Sequence, residues 1–165
     1  MTLRLPRTRS CFVCGVSNPL GLNLGFEADG ATVTARFHPR PEYTGFLDTV
    51  HGGLISTVLD EAMVWACGVG AGRFAYCAEL TVRFQRPLKP EAEAVVTGTL
   101  TANRKDRLFE ARAELRLMDG TIIASATGKY LPIPEALLAG THGDFLEDVG
   151  AVLRQARTSG TISPA

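Results

Sequence analysis

Two adjacent carboxylates, Asp60 and Glu61, interrupt the most apolar stretch of this sequence, Val58 to Gly70. An ionisable side chain among such neighbours is expensive to desolvate unless it is paired or used. Asp60 is therefore a candidate general base or nucleophile, its other possible role being an interface ion pair or a hydrogen bond to a neighbouring strand. Glu61 points about 100° further round a helix of 3.6 residues per turn, and reads as a reserve carboxylate or a rim charge. Just upstream stands His51-Gly52-Gly53. A Gly pair suits a tight start to a helix. The same lack of Cβ atoms lets the first free N–H groups and the helix dipole approach a carbonyl oxygen, as an oxyanion hole requires. His51 is expected to cap the helix rather than serve as a base.

Cys11 and Cys14 form a C-x-x-C pair. A structural zinc takes four ligands, and Cys67, Cys77, His38 and His142 offer no second half of matching spacing. No thioredoxin-like strand and helix surrounds the pair. Both thiols are expected to be packing residues, with no metal bound and no cofactor.

The elements that must position these groups follow from periodicity. Leu54, Ile55, Val58, Leu59, Ala62, Met63 and Ala66 recur at helical spacing, leaving Ser56, Thr57, Asp60 and Glu61 as a thin polar stripe. This predicts one long, mostly buried helix. Before it, apolar and polar residues alternate from Leu24 to Phe37 around Asp29-Gly30, a hairpin signal. After it, Tyr76, Ala78, Leu80, Val82 and Phe84 alternate with Cys77, Glu79, Thr81 and Arg83, ending at Pro87 and Pro90. Ala92 to Thr101, Leu108 to Met118 and Thr121 to Tyr130 read as three further strands, the last two joined by Asp119-Gly120. So buried a helix among antiparallel strands needs cover on most sides, which predicts an α+β fold with a curved sheet wrapped around one central helix. Residues 1–131, including the N-terminal segment 1–21, form the expected domain. Residues 132–165 form a tail with a short helix over Phe145 to Leu153 and a patternless end from Thr158.

At 165 residues with 45% hydrophobic and 21% charged composition, the chain fits one domain. Its 17 basic and 17 acidic residues cancel, so nothing favours nucleic acid or an anionic membrane as partner. The longest apolar run is too short and too interrupted to span a bilayer, and the first ten residues lack the apolar run of a secretory signal. A cytoplasmic location with reduced thiols is expected.

The motif from His51 to Ala62, with an Asp nine residues after the His, resembles the hotdog-fold thioesterases of the phenylacetyl-CoA and 4-hydroxybenzoyl-CoA type. Cys11-Phe12-Val13-Cys14-Gly15, Asn18-Pro19-Leu20-Gly21-Leu22 and Ala78 to Phe84 with Pro87 are similar to one subgroup of that family. The resemblance spans about Cys11 to Tyr130. Two positions depart from it. Gly45 stands where many relatives carry an Asn or Gln six residues before the His, and Cys77 stands where others carry Ser or Thr.

The resemblance implies an acyl-CoA thioesterase acting on a medium-chain or aromatic acyl group, or else a protein that binds acyl-CoA or an acyl chain without turnover. A hotdog hydratase needs an Asp and His arrangement not found here. Asp60 takes the catalytic place, with Gly52, Gly53 and His51 forming the oxyanion turn. Gly45, Phe46, Glu61, Trp65 and Cys77 are expected near the substrate, with Tyr76 as a further pocket-lining aromatic, and Arg86, Arg104 and Lys105 are offered to the CoA phosphates. The family's usual assembly implies a homodimer, or a dimer of dimers, with the site shared between two subunits. Helix geometry agrees, because Gly53 and Asp60 lie roughly 10 Å apart along one helix.

Overall fold

The computed structural model describes residues 2–159. In chain order the elements are β1 (Leu3–Arg4), β2 (Phe26–Asp29), β3 (Thr32–Phe37), a 3₁₀ turn at Pro41–Tyr43, β4 (Thr44–Phe46), β5 (Thr49–Val50), α1 (Gly52–Ala71), β6 (Ala75–Phe84), β7 (Ala94–Asn103), β8 (Phe109–Leu117), β9 (Ile122–Pro132), α2 (Glu135–His142) and α3 (Val149–Ser159). Seven strands make one antiparallel sheet in the order β1-β2-β3-β7-β8-β9-β6, and β4 pairs with β5 as a separate ribbon.

The sheet wraps α1 as the thin polar stripe requires, for the helix packs against β3, β6, β7, β8 and β9. By length and composition α1 is apolar enough to cross a membrane, yet most of it is buried as the core helix. Val58, Leu59, Ala62, Met63 and Ala66 are wholly enclosed and meet Val33, Val96, Leu115 and Ala124 of the strands. Burying such side chains removes apolar surface from water at about 25 cal/mol per Å², the main stabilising term of the fold. His51 caps the N-terminus, and Gly72 closes the C-terminus in the left-handed region at φ 73°.

The expected hairpin turns at Gly30, and the four strands after the helix lie within about two residues of their predicted bounds. Three features differ from the sequence reading. The two-residue β1 and the short β4–β5 ribbon are too brief to show periodicity. In β6 a register shift between Cys77 and Glu79 reverses the alternation beyond it, while Ala75, Tyr76 and Cys77 ahead of it line one cavity. The tail holds two helices where one was expected, and the end from residue 160 lies outside the described residues.

The tail and the N-terminal segment hold each other. Thr8 bridges to Phe145, the Arg9 N–H donates to the Asp144 carbonyl at 2.9 Å, and the Asp144 carboxylate accepts from the Ser10 N–H and hydroxyl at 3.1 and 2.7 Å. Trp65 of α1 meets Phe74 and Phe145 edge to face, with ring centroids 5.1 and 5.9 Å away.

Candidate functional site

Asp60 stands on α1 facing strand β9. The Tyr130 hydroxyl donates to Asp60 Oδ1 at 2.8 Å. Gly128 makes this reach possible: a Cβ there would lie 2.5 Å from Tyr130 Cε2, so the ring lies flat along the strand only over a glycine. Burial, followed by the nearby charge of Asp60, raises the Tyr130 phenol well above its ordinary value, which keeps it a protonated donor. Cys77, opposite Tyr130 on β6, is the second neighbour of this carboxylate. Burial and then the Asp60 charge push its thiol up to about 11. Asp60 thus faces two neutral donors.

Asp60 and Glu61 line a cavity of about 470 Å³, whose apolar wall includes Trp65, Phe74, Tyr76 and Phe145. That volume falls in the range of small-molecule sites, roughly 300 to 1,000 Å³. Cys11 and Cys14 open onto the same space. These thiols, expected to be packing residues, also meet a carboxylate, for Cys11 Sγ lies 3.8 Å from Glu61 Oε1. Loss of water, followed by the adjoining Cys11, raises the Glu61 carboxyl to about 8. Between the thiols, the hydrogen bond from Cys14 lowers Cys11 and the same bond raises Cys14.

The glycine turn borders a second cavity of about 460 Å³. His51 Nδ1 accepts the Gly53 N–H at 2.9 Å, confirming His51 as the cap. One of the two N–H groups anticipated as oxyanion donors is therefore occupied, and the Gly52 N–H is the helix's first donor without an acceptor among the described residues. Gly52 lies under the Phe84 ring, and Gly45 lies against His51, where a Cβ would come within 3.0 Å of Cδ2. Any side chain at residue 45 would press on the cap. Phe46 and Arg86 line this cavity too, Phe46 with 84% of its surface exposed.

The predicted residues thus divide into two groups. Asp60, Glu61, Trp65 and Cys77 gather on one cavity, while Gly45, Phe46, His51, Gly52 and Arg86 gather on the other; Gly53 stands beside the latter through its bond to His51. Arg104 and Lys105 sit at the turn between β7 and β8 and line neither, with Arg104 paired to Glu110 at 3.1 Å. Sequence reasoning missed Tyr130 and Gly128. Their only signal was a tyrosine and a glycine two apart on one face of a strand.

Residues 47–124 match the family model of the thioesterase superfamily. No curated protein matches the chain. Among solved structures, a thioesterase superfamily protein superposes with a TM-score of 0.67 at 25% identity, covering 74% of this chain and 60% of its own length. The E. coli PaaI protein from the phenylacetic acid degradation operon gives 0.63 at 19% identity, covering 68% and 81%. A Streptococcus mutans protein bound to acetyl CoA gives 0.62 at 13% identity, covering 67% and 89%. These likenesses carry the hotdog fold.

Proposed function

We propose that this chain, a member of the thioesterase superfamily, hydrolyses the thioester of an acyl-coenzyme A with Asp60 as the catalytic carboxylate. The observation that carries the reading is the Tyr130 to Asp60 hydrogen bond on the wall of a cavity with apolar and aromatic lining. Asp60 takes a proton from a water whose oxygen adds to the thioester carbon; alternatively it attacks that carbon itself, and loss of CoA leaves an acyl anhydride on Asp60 that a water then hydrolyses to the free acid. The carbonyl oxygen gains negative charge and is met by the Gly52 N–H at the positive end of α1. Collapse breaks the C–S bond, releasing CoA, whose sulfur takes up the proton, and the free acid.

Within one chain the carboxylate and the glycine turn border different cavities. The site we propose joins the two across a two-fold dimer. Strand β6 supports this, since among the described residues only β9 pairs with it, which leaves its other edge free there, and it presents Tyr76 and Phe84 half exposed. A medium-chain or aromatic acyl group suits the wall of Trp65, Phe74 and Tyr76. Arg86, which lines the cavity beside the glycine turn, is the basic residue we assign to a CoA phosphate. Acetyl CoA bound to a structural neighbour supports the ligand class.

A second reading, acyl-CoA binding without turnover, is favoured by one observation: the Gly53 N–H is engaged by His51 and leaves a single free donor. A panel of acyl-CoAs assayed for thiol release separates the two. Release that depends on Asp60 supports hydrolysis. Tight binding with no release on any member supports the binding protein.

A further inference from the structure

We propose that Cys11, Cys14 and Glu61 bind a zinc ion, with a fourth position open to the Asp60 cavity. The three ligand atoms all lie within 4.8 Å of one another, with Cys11 Sγ and Glu61 Oε1 3.8 Å apart. Zinc sits about 2.3 Å from sulfur and about 2.0 to 2.2 Å from a carboxylate oxygen, so a tetrahedral angle sets sulfur and oxygen about 3.5 Å apart. Closing the cluster on the ion therefore needs only a small movement.

The local chain is built to present thiolates. The Val13 N–H donates to Cys11 Sγ at 3.3 Å, and the Gly15 N–H closes the turn on the Cys11 carbonyl at 2.9 Å. A Cβ on Gly15 would lie 2.2 Å from that carbonyl oxygen, so the tight turn requires glycine. Buried Thr8 meets Cys14 Sγ at 3.4 Å, and Arg7 Nε donates to the Cys14 carbonyl at 3.2 Å. Such outer partners orient metal ligands and fix their protonation. Glu61 comes from α1, the most buried element, and the tail clamps the N-terminal segment. Both halves of the site are held by packed structure.

Charge points the same way. Glu61 makes no ion pair with Lys, Arg or His among the described residues, although it faces two thiols in a partly desolvated recess. A divalent cation supplies the missing positive charge. Two sulfurs and one oxygen suit zinc, whereas calcium and magnesium prefer all-oxygen shells and iron–sulfur clusters four thiolates. Three protein ligands with one solvent position is the pattern of an accessible zinc site. The sequence hid it because the third ligand is a glutamate 50 residues away.

The test uses full-length protein purified under reducing conditions without chelator, assayed for metal content, then stripped and titrated with zinc and with cobalt(II). The expected result is one zinc per chain, a thiolate-to-cobalt charge-transfer band, and protection of Cys11 and Cys14 from thiol reagents until the metal is removed. Glu61→Gln, close in shape to the parent, should weaken zinc binding by more than about 100-fold, and Thr8→Ala by about 10- to 100-fold, the usual cost of an outer partner. Cys14→Ser should abolish binding, with circular dichroism checking its fold. A reduced parent protein that takes up neither ion overturns the proposal whatever the variants do, including one isolated with a Cys11–Cys14 disulfide. Parental affinity in folded Glu61→Gln overturns it as well.

Discussion

The Tyr130 hydroxyl and Asp60 Oδ1 lie 2.8 Å apart although 70 residues separate them in sequence. A charge-assisted hydrogen bond of this kind contributes about 1.5 to 3 kcal/mol, and it fixes the carboxylate's direction as well. Asp60→Asn keeps the shape and the bond but removes the base, so kcat should fall by about 10² to 10⁴ while the fold is retained. Tyr130→Phe should lower the melting temperature and reduce kcat less, with KM nearly unchanged. Thiol-release kinetics beside thermal melts measure both. Full activity in folded Asp60→Asn would hand the role to Glu61.

Gly128 is the support beneath that bond. An added methyl group meets the Tyr130 ring at 2.5 Å, and the ring, wholly buried, has little free space to move into. Gly128→Ala should cost about 1 to 3 kcal/mol of stability, the usual range for overpacking, and should lower kcat by displacing the hydroxyl from Asp60. Gly128→Ala combined with Tyr130→Phe should lose little more activity than Tyr130→Phe alone, since both act through one contact. Additive losses in kcat would show that Gly128 acts by another route.

Periodic features were legible before the structure, because a helix or strand longer than two turns or two alternations repeats its pattern. The α1 stripe ending at Asp60 and Glu61, the Asp29-Gly30 hairpin and the strands after the helix follow from that repetition. Contacts between distant segments were not legible. Neither Cys11 beside Glu61 nor Tyr130 beside Asp60 leaves any local trace, since Tyr130 meets Asp60 only when the sheet closes over the helix and Cys11 meets Glu61 only when the N-terminal segment docks beside α1. The bulge at Cys77 was hidden for a different reason. One extra residue reverses the faces of a strand without changing its composition.

Cys77 offers a test of the electrostatics around Asp60. Its thiol is exposed enough to be reached, yet burial and the Asp60 charge raise it to about 11. A raised value means the proton stays on, so at pH 8 roughly one thiol in a thousand is ionised. Alkylation of Cys77, followed by peptide mass spectrometry, should be slow at pH 8. Its rate should climb about tenfold per pH unit and level off near pH 11. Asp60→Asn removes one cause of the shift and should speed the reaction at pH 8. An unchanged rate in that variant would remove Asp60 as a cause.

The last prediction concerns how one site can use both cavities. Gly53 and Asp60 are seven residues apart on α1, about 10 Å at 1.5 Å per residue, and Asp60 borders one space in the single chain while Gly52, next to Gly53, borders another. Oxyanion donor and carboxylate must both come within about 3 Å of one reacting group, which a single helix cannot arrange. Two antiparallel copies of α1 related by a two-fold axis bring the Asp60 of each beside the glycine turn of the other. Asp60→Asn damages one half of every such site. Gly52→Val damages the other, since a Cβ there already meets the Phe84 ring at 3.3 Å and a branched side chain pushes it aside. Each variant alone should be inactive. When the two are mixed and allowed to exchange subunits, half the dimers are mixed, and each of these has one doubly damaged site and one intact site. Activity should then return to about a quarter of the parent value, counted over all sites. If every site came from one chain, each would keep a defect and the mixture would stay inactive. Native mass spectrometry shows whether mixed dimers have formed, so an inactive mixture containing them refutes the shared site.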